Sequence, residues 1–257
     1  MAKKGVDGGR GGRRAGVVSG VKRSGPGRGF WLALGVVSLL GIGTLSWVAS
    51  RPKAEALRVD PSLPPMKAQG YVRGSPAAPV EVIEFGDFEC PSCGQFATVT
   101  EPDVVARLIN TGHIRLRYID FPLRMHKNTW DASLAAACAN DQGKFWEMHD
   151  ALFANQDRWN TEATSRPRGP IGDLAKSIGL DMSKYGTCMD SETHRPQIQA
   201  NLAEAERRLV PSTPTFVFGD KMVPGALPYD RFKEYVDSLT RSALVRQDST
   251  ATAGKTP

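Results

Sequence analysis

Cysteine is scarce in this sequence: Cys90, Cys93, Cys138 and Cys188 are the only four in 257 residues. That is too few for a disulfide-built scaffold of this length, although an even number allows two specific pairs. Histidine is as rare, and Cys138 and Cys188 stand fifty residues apart with no paired histidines nearby, so the ligand spacing of a zinc site is missing. No metal and no bound cofactor is expected. An excess of positive charge is also missing from most of the chain. The first fifty residues hold eight Lys or Arg against the single Asp7, and the remainder holds 25 basic and 26 acidic side chains. A nucleic-acid partner is therefore not expected. There is no internal repeat, and 40% hydrophobic content at this length suffices for one sizeable core in one or two domains.

What is present begins with a sharp change of composition at Phe30. Residues 1–29 are Gly-rich and basic and are expected to form a disordered cytoplasmic arm. From Phe30 to Ala49, "FWLALGVVSLLGIGTLSWVA", twenty residues pass without a charge. At the helical rise that is about 30 Å, enough for one membrane crossing. Trp31 and Trp47 lie near the ends of the run, and the basic arm places the N-terminus in the cytoplasm. Everything beyond residue 50 is then extracytoplasmic, a periplasmic or cell-surface domain held at the cell (inner) membrane by a single-pass signal-anchor. Two alternatives remain. Ala54-Glu55-Ala56 offers a cleavage pattern, although a signal-peptide core is usually about 7–15 residues. Arg13-Arg14 resembles a twin-arginine signal but lies well upstream of the apolar run.

Residues 50–75 carry Pro52, Pro61, Pro64 and Pro65 and read as a semi-rigid tether. "VEVIEF" (80–85) is a β-rich run that Gly86-Asp87 interrupts. A helical pattern follows through the first two cysteines to about Ile109, with Pro102 expected to kink or split it. "HIRLRYIDF" (113–121) alternates like a strand. Residues 126–209 are helical in pattern. "PSTPTFVFGDKMVPGAL" then reads as two short strands around Gly219-Asp220, ahead of an amphipathic helix from Tyr229 to about Leu239. The polar tail, 243–257, is expected to be disordered.

The stretch "FGDFECPSCGQF" admits three readings: metal half-site, structural staple or redox pair. Metal lacks its other ligands, and a staple closing a four-residue loop gains little from chain entropy. Redox chemistry remains. With Cys90 at a helix N-terminus, free backbone N–H groups and the helix dipole lower its pKa below the usual value of about 8.5. Cys90 then forms the mixed disulfide with a substrate, and Cys93, one turn further in, resolves it. Pro91 suits the first helical turn, where no backbone donor is needed.

Four stretches carry a resemblance: "EFGDFECPSC" after the first strand, "FPL" with His126 after the second, "CANDQGKFWEMHDALF" in the helical region, and "TPTFVFG" at the hairpin. In this order they resemble the DsbA-like thiol:disulfide oxidoreductases of the thioredoxin superfamily. The resemblance implies an α/β, thioredoxin-like fold (76–125 and 210–242) with an inserted helical domain (126–209), here preceded by the transmembrane helix at 30–49. It implies that Pro214 is a cis-proline facing the cysteine pair, that the Thr213 backbone pairs with extended substrate, and that Glu84 is a buried acid relaying the proton of the resolving thiol. His126 and Trp130 match the pattern and are read as packing residues. In an oxidising compartment Cys138 and Cys188 are expected to pair as a structural disulfide worth roughly 4 kcal/mol.

The implied activity is the introduction of disulfides into reduced exported proteins, with reoxidation by a quinone-linked membrane oxidase of the DsbB or vitamin K epoxide reductase type. A monomer is expected, because about 25 residues of tether are too few for a separate dimerisation domain. Ser92, a neutral hydroxyl between the cysteines, argues for a potential between about −270 and −120 mV. Alternatives are a thiol reductase or isomerase for cytochrome or copper-site maturation, and a redox-inert peptide-binding chaperone or adaptor.

Overall fold

The computed structural model describes residues 27–49, 56–62 and 68–253, without the side chains of residues 28, 43–49 and 242–253. The basic arm to residue 26, tether residues 50–55 and 63–67, and tail residues 254–257 lie outside the described residues. The chain divides into two compact units, Met1–Lys53 and Ala54–Pro257.

In the first unit the charge-free run is helical, α1 (Arg28–Ala49). Among the described residues no helix is long and apolar enough to cross a membrane. The end of α1, residues 43–49, is without described side chains, so that statement covers only part of the span expected at 30–49.

The second unit is built on a six-stranded sheet in the order β1-β6-β5-β3-β4-β2. β3 (Val80–Gly86) and β4 (Ile114–Asp120) run parallel at its centre, with Val82 opposite Leu116 and Glu84 opposite Tyr118. β5 (Thr215–Phe218) pairs antiparallel with β3, and β6 (Lys221–Pro224) pairs with β5. Because side chains alternate along a strand, β3 and its neighbours feed two cores. Val82, Leu116, Phe216 and Phe218 pack against Phe96, Val104, Leu108 and Phe232 on one face. Phe85, Ile119, Val217 and Met222 pack against Ala205 and Val210 on the other.

Two strands lie where the sequence reads as tether. β1 (Leu57–Arg58) pairs with β6, and β2 (Tyr71–Arg73) pairs with β4. Segments of two and three residues are too short to show a period of two, which is why the surrounding prolines dominate the reading.

The helical path after the cysteines continues without a gap from Pro91 to Ile109, so Pro102 does not split it; the path changes type instead. It runs as α2 (Pro91–Gln95), a π-helical turn (Phe96–Thr100), α3 (Glu101–Val104) and a second π-helical turn (Val105–Ile109). Pro102 is the second residue of α3, directly after the first π-helical turn.

The inserted domain comprises α4 (Thr129–Asn140), α5 (Phe145–Ala154), α6 (Gln156–Trp159), α7 (Arg168–Ser177), α8 (Met182–Ser191) and α9 (Arg195–Arg207). Ala132, Ala135, Ala136, Ala137 and Ala139 are all buried, so α4 is enclosed on every side; small side chains let α5, α7, α8 and α9 approach it closely. A disulfide joins Cys138 on α4 to Cys188 on α8, with Cα atoms 5.8 Å apart. The last helix, α10 (Tyr229–Ala253), outruns the expected end near Leu239. No Gly or Pro interrupts it before Gly254, and Ala243, Leu244 and Ala251 are good helix formers, which outweighs the polarity of the tail.

Candidate active site

Gly86 ends β3, and a Cβ there would stand 2.3 Å from the Tyr118 ring, so only glycine lets the strand pass this side chain. The chain then turns through Asp87, whose carbonyl accepts from the Cys90 N–H at 3.0 Å. Cys90 is extended (φ −71°, ψ 122°) and occupies the N-cap of α2, with Pro91 directly after it. Both sulfurs are thiols here, Cys90 7% exposed and Cys93 fully buried.

The Cys90 sulfur donates to the Thr213 carbonyl oxygen at 3.3 Å. Thr213-Pro214 is a cis peptide, and the Pro214 carbonyl accepts from the Gly225 N–H at 2.7 Å. The Cys90 pKa is lowered from 9.0 to about 6. Its largest cause is a hydrogen bond from the Cys93 thiol, opposed by burial and supported by the Thr213 hydroxyl and the backbone N–H groups of Cys93 and Ser92. The Thr213 hydroxyl is buried and has no other partner, so it is available to the thiolate. The helix terminus thus contributes as the sequence suggests, but the second cysteine contributes more.

Cys93 is shifted the opposite way. Burial raises its pKa well above the ordinary thiol value, reinforced by its bond to Cys90 and by the negative charges of Cys90 and Glu84. Glu84 itself is 1% exposed on β3 and is raised well above the carboxylate range, by burial first and then by Glu101 and Cys90. A pair in which one sulfur ionises easily and its neighbour stays a thiol is suited to exchange at the outer sulfur.

Four residues with a part in the site were not singled out from sequence, or were read otherwise. Asp87, 1% exposed, accepts from the Glu89 N–H (2.8 Å), the Leu123 N–H (2.8 Å) and the Thr129 hydroxyl (2.6 Å), and its Oδ2 lies 2.7 Å from His126 Nδ1. Through it the cysteine loop is fastened to the segment that enters the inserted domain. His126 is therefore a hydrogen-bonding partner as well as a packing residue, and the bond to Asp87 raises its pKa. Glu89 accepts from the Asn128 N–H at 2.8 Å and from the Thr161 N–H. Gln156 Nε2 donates to the carbonyls of Phe88 (2.7 Å) and Cys90 (3.0 Å). Asp87 and Glu89 are two charges in an otherwise apolar stretch beside the cysteines, a signal legible in sequence. Gln156 gives none, because its partners lie 66 and 68 residues away. Trp130 packs at the edge of the insertion core, beneath the Arg195 guanidinium at 5.1 Å.

A family profile described as thioredoxin matches residues 67–238. Disulfide bond formation protein D of Bacillus subtilis is 31% identical over 178 residues, 68% of this chain and 78% of that protein. Na(+)/H(+) antiporter NhaA 1 of Salinispora arenicola is 31% identical over 226 residues, 82% of this chain but only 33% of the antiporter. The chain thus spans about a third of that relative's length. Among solved structures, oxidised BdbD from Bacillus subtilis aligns with a TM-score of 0.61 at 27% identity, over 74% of this chain and 100% of that one. Wolbachia pipientis α-DsbA1 aligns at 0.62 and 20% identity, over 71% of this chain and 96% of that one, a likeness of fold alone.

Proposed function

Because the chain belongs to the thioredoxin family and carries a DsbA-like fold, we propose that it is an extracytoplasmic thiol:disulfide oxidoreductase that introduces disulfides into reduced exported proteins. The observation that supports this most is the placement of the two sulfurs, Cys90 at the N-cap of α2 and 3.3 Å from the Thr213 carbonyl oxygen, Cys93 fully buried behind it. In the oxidised pair a client thiolate attacks the Cys90 sulfur; the Cys90–Cys93 bond breaks and Cys93 leaves with its electron pair and takes up a proton. A second client thiolate then attacks the client sulfur of the mixed disulfide and releases Cys90 as a thiolate. Two electrons have passed to the pair, and the low pKa of Cys90 makes it the better leaving group. Thr213 and Pro214 present backbone to an extended client, Glu84 serves the proton of Cys93, and the Cys138–Cys188 bond is structural.

The alignment with the disulfide bond formation protein favours an oxidase. The cation exchange in the antiporter's name is not carried over, since two thirds of that protein has no counterpart here. The charge-free run at 30–49 serves as a single-pass anchor with its N-terminus in the cytoplasm, and a quinone-linked membrane oxidase of the DsbB or vitamin K epoxide reductase type reoxidises the pair. Anchoring keeps the two close and raises their effective concentration.

Oxidative refolding of a reduced client, with the wild-type chain and with both Cys90 and Cys93 replaced by Ala, tests the activity; equal yields reject it in favour of a redox-inert binder. Glutathione equilibration then fixes direction. A potential at or below about −270 mV rejects the oxidase and points to a reductase for cytochrome or copper-site maturation. Carbonate washing of membranes tests the anchor, which predicts that the intact chain stays in the pellet.

A further inference from the structure

Beneath the cysteine pair the structure gathers buried polar atoms without hydrogen-bond partners. Among the described residues these include Glu84 Oε2, Glu101 Oε2, Tyr118 OH and His149 Nε2. Glu84 and Tyr118 are register partners on β3 and β4, so their side chains leave the sheet on one face. Glu101, 2% exposed, opens α3 on the buried side of the helix that starts at Cys90. His149 on α5 is fully buried, its Nε2 3.9 Å from Glu101 Oε2 and its ring edge-on to Tyr118 with centroids 5.3 Å apart.

The other nitrogen of His149, Nδ1, lies 2.8 Å from an oxygen of Asp150, whose side chain is 53% exposed. Glu101 and Asp150 both line a cavity of about 570 Å³, together with Arg73, Thr98 and Asn110. Leaving buried polar groups unpaired is costly, and apolar side chains in this layer would pack without that penalty. A cation is not the reason for the cluster. Arg73 already lies 3.0 Å from Glu101 and 3.0 Å from Asp150, where it supplies the positive charge that a metal would bring.

We propose that Glu101 and His149 extend the buried acid Glu84 into a proton-transfer path between the Cys93 sulfur and the solvent-facing Asp150–Arg73 cavity. The path rests on the oxidoreductase function proposed for the pair. When a client thiolate breaks the Cys90–Cys93 bond, the electron pair stays on Cys93, which takes the proton of the Glu84 carboxyl. Glu84 is reprotonated by Glu101. Glu101 takes a proton from His149 Nε2, and His149, whose Nδ1 lies against the Asp150 carboxylate, recovers one from water in the cavity that Glu101 and Asp150 line. Reoxidation of the pair runs the same transfers in reverse.

Burial raises the pKa of Glu84 and, against the opposing charges of His149 and Arg73, that of Glu101, which favours their protonated forms; against its own burial, Asp150 is lowered by the His149 ring and Arg73, which favours the carboxylate that faces Nδ1. The charged and titratable groups facing Glu101 are His149, Arg73 and Asp150, with Glu84 across the helix–sheet interface; those facing Glu84 are Glu101, Cys90, Cys93 and Tyr118. His149 faces Glu101 and Asp150 and is otherwise walled by Phe88, Tyr118, Phe145, Trp146 and Phe153.

The test is the pH dependence of reduction of the Cys90–Cys93 disulfide by dithiothreitol in the full-length chain, for wild type, Glu101→Gln and His149→Gln, each with and without added imidazole. Near neutral pH both variants are expected to react at least tenfold more slowly, a modest share of the roughly 10²–10⁴ that a positioned acid or base contributes. Imidazole is expected to restore the rate, and the Cys90 thiolate titration to stay as in wild type. Variants with the wild-type rate and pH profile overturn the path while leaving the oxidoreductase intact; a wild-type pair that does not exchange at all overturns both. If neither variant folds, infrared difference spectra of the wild type on reduction decide. Two changing protonated-carboxyl bands support the path, and one or none overturns it.

Discussion

The Cys90 sulfur stands 3.3 Å from the carbonyl oxygen of Thr213, which is 123 residues further along the chain. As a thiol Cys90 donates to that carbonyl; as a thiolate it accepts from the Cys93 thiol, the Thr213 hydroxyl and two backbone N–H groups. The exchange of partners is what separates the two cysteines chemically.

The first prediction concerns that bond between the cysteines. Because the Cys93 thiol is the largest cause of the low Cys90 pKa, Cys93→Ala should raise it from about 6 toward the free value of about 8.5. The same variant should accumulate mixed disulfides with client proteins, and Cys90→Ala should trap none. Thiolate absorbance against pH measures the shift; an unmoved titration would falsify the assigned cause.

A second prediction follows from linkage. The folded pKa of Cys90 is lowered from 9.0 to about 6, so the unfolded reduced chain binds more protons between those values and stability of the reduced form rises with pH. The gain grows from pH 6 to about 9, is on the order of a few kcal/mol and is lost as pH falls through 6; above about pH 9 it is offset, because Cys93 is held protonated in the folded chain while the unfolded thiol ionises. His126, raised by Asp87, contributes with the opposite sign but is present in both redox forms. Denaturation midpoints of reduced and oxidised chains should therefore diverge from pH 6 to 9 in favour of the reduced form. A constant difference across that range rejects the account.

Asp87→Ala leaves two backbone donors, the Thr129 hydroxyl and the His126 ring without their buried acceptor. Unpaired buried donors cost about 1–3 kcal/mol each, so a loss of about 3 kcal/mol or more in urea unfolding is expected. The His126 pKa should fall in the same variant, which proton NMR of the imidazole reads.

Replacing Cys138 and Cys188 together by Ala releases a loop of about fifty residues and should lower stability by roughly 4 kcal/mol. Because that bond joins α4 to α8 within the insertion, the Cys90 titration should not change. A double variant that loses redox activity while still folded would make the second pair a relay.

The sequence was most legible where chemistry is local. Cys90, Pro91 and Cys93 announce their own N-terminal turn, Gly219-Asp220 its hairpin, and the periods of 80–85 and 113–121 their strands. Pro102 suggests a split that the continuous path from Pro91 to Ile109 does not show, and nothing local marks the π-helical turns there, whose Phe96 and Leu108 pack in the sheet's core. Leu57–Arg58 and Tyr71–Arg73 are illegible because their partners on β6 and β4 come 165 and 47 positions later, Leu57 with Met222 and Tyr71 with Tyr118. Gln156 and the Glu101–His149 pair were hidden for the same reason. Their meaning lies in what the tertiary fold brings beside them.

Those two short strands have a consequence for the proposed action on extended client chains. They form the two outer edges of the sheet, and each is only two or three residues long and carries an arginine, Arg58 or Arg73. A long bare edge would recruit any extended polypeptide into a continuous sheet, whereas a short charged one offers little to zip along. An oxidoreductase of the proposed function would thereby meet extended clients at its sulfur without offering a template for their aggregation.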